Sequence, residues 1–381
     1  MEAILNSMIY IFGSILIIYS LLIFWLFIGY LKVSTATKKT NDFYNSFSII
    51  VPFRNEADNL PKLLHSIEKL HYPKNRFEII FVDDASTDNG KEIIEKFNKL
   101  NLEIQLTILA NIRQSKSPKK DAIEHAINAA KYDWIITTDA DCSVPKSWLN
   151  IFDSTVKERN PVLMAGGIYI KPRNFLQIVE LFDLISLLVS TIGSFGNRKP
   201  MMCNGANLCY KKSVFYDVSG FNGNNHLATG DDFFLLQKIQ LKYSTQVTYI
   251  KSNEHLVETN GNLSLKQLIE QRIRWGSKTT MANNFTKLIG FIILLSNLIF
   301  IIFLLISLLL DVSWYYFTTF LLLKSIIDLL LIFPGLLLSR QCKFLLFYPF
   351  ISFIHPFLLT IFSFGSIFKR NYTWKDRSHI S

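Results

Sequence analysis

The sequence predicts an α/β fold, a mostly parallel sheet flanked by helices, set between membrane-embedded segments. Three observations predict it. Short apolar strands alternate with helical stretches in the middle of the chain. Long uncharged apolar blocks stand towards both ends. Charged residues concentrate between about Lys32 and Lys287.

Composition agrees with that division. Half of the 381 residues are hydrophobic, 32 of them Phe, and the mean hydropathy is positive. A soluble protein is less apolar, and a bare membrane bundle carries fewer charges than the 18% found here. The net charge of +10 is explained by flanking basic residues: Lys32, Lys38 and Lys39 follow the first apolar block, and Arg272, Arg274, Lys278 and Lys287 precede the second. That placement follows the positive-inside rule and favours membrane lipids with anionic headgroups. No Lys/Arg tract with interleaved aromatics marks a nucleic-acid surface, so no nucleic-acid partner is expected. The four cysteines form no Cys-x-x-Cys pair, which fits a reducing compartment rather than a disulfide framework or a structural zinc site.

The first apolar block, Ile4 to Leu31, exceeds the roughly 20 residues that cross a hydrocarbon core. With Glu2 before it and Lys32 after it, it reads as a retained anchor with the following domain in the cytosol. The second block runs from Leu288 to Leu310, the third from Val312 to Leu338, and the fourth from Phe344 to Phe368. Arg340 and Lys343 place one connection inside, and Lys369, Arg370, Lys375 and Arg377 place the tail inside as well. Four simple crossings conflict with that charge pattern: either the last block is a re-entrant hairpin broken near Pro349 or Pro356, the favoured reading, or the charge rule fails. Lys324 and Asp328, at i and i+4 in the third block, read as an ion pair or a polar path. Phe175 to Phe195 is amphipathic, either a helix on the bilayer surface or a core helix of the central domain.

Within that domain, Ser48–Val51, Glu78–Val82 and Trp134–Thr138 read as buried strands. Ser117-Pro118 is a helix start, followed by an apolar stripe at Ala122, Ile123, Ala126, Ile127 and Ala130. Ligands of such a sheet gather at the carboxyl ends of its strands.

Acidic clusters stand at those ends. Asp83 and Asp84 close the second strand, where a carboxylate can accept from a base or ribose; a capping turn through Ser86 and Asp88 explains them as well. Asp139 and Asp141 follow the third strand, two apart and so facing one way, which suits a shared Mg²⁺ or Mn²⁺. A solvated acidic turn is the plain alternative. Gly230-Asp231-Asp232 opens an apolar helix, where one carboxylate can act as a general base or both can merely stabilise the helix start. Finally, Ser264-x-x-Gln267 opens a helix on which Gln271, Arg274 and Trp275 share one face, suited to a diphosphate and a ring. A basic, aromatic helix at the lipid interface also accounts for them.

In this order on one chain, the motifs resemble the family 2 glycosyltransferases with their nucleotide-sugar-binding GT-A fold. The resemblance covers roughly Ser48 to Lys278. Ile50 to Glu56 looks like the family's first strand and loop, which implies donor-binding roles for Pro52 and Glu56. Val82-Asp83-Asp84-Ala85-Ser86 matches the block whose second aspartate meets the base, here Asp84. Lys119-Lys120-Asp121 resembles the lysine-bearing helix start, and the donor role is placed on Lys120, although serine and proline stand where a glycine is usual. Asp139 and Asp141 match the Asp-x-Asp metal motif. Asn204-Gly205-Ala206-Asn207 looks like the acceptor-side loop, with Gly205, Ala206 and Asp231 facing the acceptor. Asp232 takes the place of the base. Gln271, Arg274 and Trp275 complete the Gln-x-x-Arg-Trp signature, towards donor and, for Trp275, acceptor.

The resemblance implies a metal-dependent, inverting transfer from a nucleotide-sugar, a UDP-sugar first, to a lipid-linked or glycan acceptor. The charge placement puts it at the cytosolic face, and the Lys-, Asn-, Ile- and Phe-rich composition suggests a bacterial plasma membrane. The resemblance also implies an anchor over 1–31, a glycosyltransferase domain over 45–285, a membrane region over 286–368 and a basic tail over 369–381. A processive polysaccharide synthase is the alternative within enzymes, and a non-catalytic membrane scaffold the alternative outside them.

Overall fold

The computed structural model describes residues 2–38, 44–227, 229–309, 314–368, 371–374 and 377–380. The expectations placed on Lys39, Leu310, Val312, Lys369, Arg370 and Lys375 lie outside the described residues. The chain packs as two compact units. One comprises Met1–Lys32, Pro172–Asn197 and Asn262–Arg370; the other comprises Val33–Lys171, Arg198–Gly261 and Asn371–Ser381.

The second unit is the α/β domain. Up to Gly261 its strands are β1 (Phe47–Phe53), β2 (Phe77–Asp83), β3 (Gln105–Ala110), β4 (Trp134–Thr137), β5 (Leu163–Gly166), β6 (Ile168–Ile170), β7 (Leu208–Lys211), β8 (Val247–Ile250) and β9 (Val257–Thr259). Seven of them form one sheet in the order β3-β2-β1-β4-β7-β5-β8. All neighbours run parallel except β7, which is antiparallel to both β4 and β5. β6 and β9 pair separately. Every residue of β1 but Pro52 is buried, as a strand covered on both faces requires. Pro52 is tolerated because pairing with β4 ends at Ile50, so the missing donor falls beyond that ladder.

Six helices accompany the strands in chain order after an initial apolar helix, α1 (Glu2–Lys32): α2 (Leu60–Glu68), α3 (Gly90–Leu100), α4 (Pro118–Ala129), α5 (Trp148–Arg159), α6 (Phe175–Gly196) and α7 (Lys212–Asp217). α8 (Asp231–Lys242) follows. α2 to α5, α7 and α8 belong to the sheet unit. α4 starts where Ser117-Pro118 predicts, yet Ser117 makes no side-chain cap. Asp121 instead accepts from the amides of Gln114 and Ser115 at 3.0 and 2.9 Å, which folds the preceding loop onto the helix start.

The first unit contains α1 and α6 together with α9 (Leu265–Ser277), α10 (Asn284–Leu309), α11 (Trp314–Leu338) and α12 (Tyr348–Phe368). Five of the described helices are long and apolar enough to cross a membrane: Tyr10–Lys32 of α1, then α6, α10, α11, and the stretch Cys342–Phe368 that includes α12. Phe175 to Phe195 is therefore not a core helix of the sheet domain; it packs as α6 with α1 and α11. Small residues permit that packing. A Cβ on Gly29 of α1 would meet the Gly193 carbonyl at 2.0 Å, and one on Gly193 would meet the Leu26 carbonyl at 2.1 Å. Gly335 of α11 meets Ile185 of α6 in the same way, its Cβ falling 2.4 Å from Cγ2.

The re-entrant hairpin expected for the last apolar block is not observed. α12 runs unbroken through Pro356. Pro349 sits in its first turn, where an amide donor has no helical partner to lose. Lys324 and Asp328 form the ion pair at 2.7 Å, and Tyr19 of α1 donates to the other oxygen of Asp328.

Candidate active site

The loops after β1, β2 and β4 and the start of α8 carry the acidic residues singled out in the sequence. After β2 the backbone turns through Ala85 at φ 56°, and Asp83 accepts from the Ser86 amide at 2.8 Å. That turn presents Asp84, which is 6% exposed. Its Oδ1 accepts from Asn111 Nδ2 at 2.8 Å and Arg113 Nε at 2.9 Å, while Arg54 donates to its carbonyl at 2.7 Å. Asn111 and Arg113, after β3, escaped the sequence reading because neither belongs to a motif. Glu56, in the turn after β1, accepts from Asn59 Nδ2 at 2.6 Å and caps the start of α2 through its carbonyl.

The adjacent lysines at the start of α4 diverge. Lys120, expected beside the donor, is 1% exposed and donates to the carbonyls of Asn224 at 2.6 Å and Leu227 at 3.0 Å. Its ammonium also lies over the Phe234 ring, 5.3 Å from the centroid. Lys119 is the one that reaches the carboxylates. Its Nζ lies 2.8 Å from Asp139 Oδ1 and 3.4 Å from Asp231 Oδ2. One cation thus links the pair after β4 to the pair that opens α8. Burial works to lower the Lys119 pKa, but Asp139, Asp231 and Asp232 outweigh it and hold the ammonium well above the ordinary lysine value.

Asp141 contacts Cys142, whose Sγ lies 3.6 Å from Asp141 Oδ1. Burial, and then the charges of Asp141 and Asp139, push the Cys142 thiol up and keep it protonated. Among the described residues no group of three or more His, Cys, Asp and Glu is placed to hold a metal alone. Asp139 and Asp141 still supply hard oxygens, and Asp139 already faces a cation in Lys119. That donor set fits Mg²⁺ or Mn²⁺ of the kind completed by substrate phosphates.

Asp232 is held by backbone. Its Oδ2 accepts from the Gly205 amide at 3.1 Å, and Cys203 Sγ lies 3.4 Å from its carbonyl. Gly205 lies close to both aspartates: a Cβ there would sit 3.1 Å from Asp231 Oδ2 and 3.6 Å from Asp232 Cβ. Ala206 is capped by Asn204 Oδ1 at 3.0 Å. Gly205 therefore stands beside both aspartates of α8.

Gln271, Arg274 and Trp275 stand on α9, which packs in the unit of apolar helices rather than in the sheet unit. Ser264 caps the Gln267 amide at 3.3 Å, and Gln267 reaches back to the Leu263 amide at 3.1 Å. Of the motif's two arginines it is Arg272 that is buried, at 4% exposure, paired with Asp183 and with Glu180 at 3.7 Å, both on α6. Its guanidinium lies 4.4 Å from the Trp275 ring centroid and donates to Gln271 Oε1. Asn262 also donates to that oxygen, at 3.0 Å. Arg272 thus fixes two of the three signature residues, a role that its position between them conceals.

Comparison with known proteins accords with this arrangement. The model of "Glycosyl transferase family 2" matches residues 48–218, and that of "Glycosyl transferase family group 2" matches residues 134–365, more than half of the chain. The glycosyltransferase AglE of Haloferax volcanii is 28% identical over 185 residues, 49% of this chain and 58% of the relative. The undecaprenyl-phosphate 4-deoxy-4-formamido-L-arabinose transferase of Proteus mirabilis is 30% identical over 115 residues, 30% of this chain and 34% of the relative. The matches thus span less than two thirds of either relative. Among solved structures, the mannosyltransferase PcManGT from Pyrobaculum calidifontis, in complex with GDP-Man and Mn²⁺, aligns with a TM-score of 0.57 at 15% identity. That alignment covers 97% of this chain and 99% of the other, a likeness of fold.

Proposed function

This chain belongs to the family 2 glycosyltransferases, and on that premise we propose that it moves a sugar from a nucleotide-sugar donor to a lipid-linked or glycan acceptor, inverting the anomeric carbon. The observation that carries the reading is the junction at Lys119, whose ammonium joins Asp139 to Asp231 beside Asp232. A donor-side and an acceptor-side carboxylate pair so linked suit a direct displacement. Asp232 takes the proton of the acceptor hydroxyl as it attacks, and Lys119 faces the charge that develops on the departing diphosphate. Asp139 and Asp141 would hold Mg²⁺ or Mn²⁺, which would supply positive charge to neutralise the phosphates. Asp84, braced by Asn111 and Arg113, faces the base. A UDP-sugar is the first donor to test and a GDP-sugar the second, since the fold is shared with an enzyme solved in complex with GDP-Man.

A lipid-linked acceptor is favoured by the relative named as an undecaprenyl-phosphate transferase and by the apolar helices that accompany the sheet unit. The basic residues Lys32 and Lys38 after α1 support a cytosolic sheet unit at a plasma membrane, by the positive-inside rule. The roles of Pro52, Glu56, Gln271, Arg274 and Trp275 rest on the motifs they complete. The test is donor hydrolysis by detergent-purified protein over UDP- and GDP-sugars with Mg²⁺ or Mn²⁺. Metal-dependent release of one nucleotide, lost in Asp141→Ala, supports the reading. Neither turnover nor binding of any nucleotide would sink it.

A further inference from the structure

The geometry points to Thr137 as a positioning residue for Asp232, a role that rests on the glycosyltransferase reading above. Thr137 is the last residue of β4 and is 4% exposed. Its backbone is in register with Leu208 of β7, so its side chain stands beside the turn that precedes β7. A buried hydroxyl must find a partner, and Thr137 Oγ1 donates to the Gly205 carbonyl at 2.6 Å. The amide of the same Gly205 donates to Asp232 Oδ2 at 3.1 Å. Two hydrogen bonds thus run from the strand that leads into Asp139 and Asp141, through one glycine, to the carboxylate assigned as base.

The turn needs such an anchor. Its far end is fixed by Asn207, which is fully buried, accepts from Trp148 Nε1 at 2.9 Å and donates to the carbonyls of Gly167 and His255 at 2.9 Å each. Nothing comparable grips Gly205, which has no side chain. The Thr137 hydroxyl supplies that hold. It keeps the Gly205 amide aimed at one oxygen of Asp232, and a carboxylate has lone pairs enough to accept this bond and an acceptor proton besides. Thr137 touches no reacting atom, so its effect belongs in turnover rather than in donor affinity.

Cys203, two residues before Gly205, reports on the anchor. It is partly exposed, and its thiol lies against the Asp232 carbonyl. In a Cys342→Ser background, with Cys142 and Cys209 buried, N-ethylmaleimide reads Cys203. Thr137→Val keeps shape and removes the donor, and should raise the alkylation rate about tenfold, the worth of roughly one hydrogen bond. Thr137→Ser should leave the rate at the parent value. In transfer assays with the donor from the screen, Thr137→Val should lower kcat about tenfold with donor KM unchanged, and Thr137→Ser should restore it. Unchanged alkylation in the valine variant, no rescue by serine, or a donor KM that rises in step with the loss overturns the proposal. Should Thr137→Val fail to fold, Thr137→Ala removes the same donor and should raise alkylation likewise; an unchanged rate there overturns it too. Alkylation reads the anchor whether or not sugar is moved. Failure of the glycosyltransferase reading shows separately, as a parent protein that neither binds nor turns over any nucleotide-sugar.

Discussion

Lys119 and Asp139 meet at 2.8 Å, and the same ammonium lies 3.4 Å from Asp231. Its neighbour Lys120 points into a loop instead. The two lysines should therefore fail differently. Lys119→Met should cost roughly 100-fold or more in kcat/KM, as removal of one preorganised donor does, with little change in melting temperature. Lys120→Met should lose stability, on the order of 1.5–3 kcal/mol for each charged hydrogen bond removed, and bind nucleotide normally once folded. Steady-state kinetics beside thermal melts separates the two, and equal kinetic defects would refute the division.

Asp232→Asn should abolish transfer while leaving nucleotide affinity largely intact, because Asp232 is assigned to the acceptor proton alone. Asp141→Ala should weaken nucleotide binding only when Mg²⁺ or Mn²⁺ is present. Titration calorimetry with UDP and GDP, with metal and with a chelator, checks both. Identical affinity under the two conditions in the parent protein contradicts the metal role.

His255 links stability to pH. Desolvation by burial lowers its pKa from the ordinary 6.5 to about 3, and its ring packs edge-on against Phe152 at 4.3 Å. The unfolded chain binds a proton below about pH 6.5 that the folded chain refuses until about pH 3. Stability should fall as pH drops through that window, by at most about 1.4 kcal/mol per unit from this group. Melting curves at pH 7 and pH 5 for parent and His255→Leu check it; the variant should show the smaller drop.

Asp183→Ala strands the Arg272 guanidinium, with Glu180 at 3.7 Å as its remaining acidic partner. Removing one member of a buried pair costs about 3–5 kcal/mol, so a large fall in melting temperature is expected, and Asp183→Asn should lose less. Trp275 rests on that guanidinium, so its fluorescence should shift in Asp183→Ala and not in a surface control such as Glu95→Ala.

Cys342, exposed in the connection between α11 and α12, tests sidedness. If Arg340 and Lys343 hold that connection inside, a membrane-impermeant maleimide should label Cys342 only after cells are opened. Labelling of intact cells would reverse the proposed orientation.

The central strands were legible because burial on both faces leaves continuous apolar runs: Ser48–Val51 and Glu78–Val82 fall inside β1 and β2. The acidic motifs at their ends were legible for the same reason, since a strand end fixes where they point. What the sequence concealed is non-local. The placement of β7 between β4 and β5 depends on long-range pairing that no local pattern records. The choice between Lys119 and Lys120 turns on one step around a helix, beyond what a motif resolves. Arg272 occupies an unspecified position in its signature, and its partners stand 89 and 92 residues away on α6 by sequence number. Nor does the last apolar block break as its prolines suggested, because Pro349 falls where a helix needs no donor.

α6 carries a consequence for counting crossings. The chain enters it from β5 and β6 and leaves it for β7, and β7 is bonded to β5 on one side and β4 on the other. The residues before and after α6 therefore build a single sheet, and a sheet with its loops stands in one aqueous compartment. A helix that carried the chain across would divide that sheet between two. So α6 returns the chain to the side it came from, and its 22 residues, about 33 Å of helix, add nothing to the parity of the fold. Five of the described helices satisfy length and hydropathy, but at most four of those can change sides, and a topology assigned from hydropathy alone would invert everything that follows Gly196.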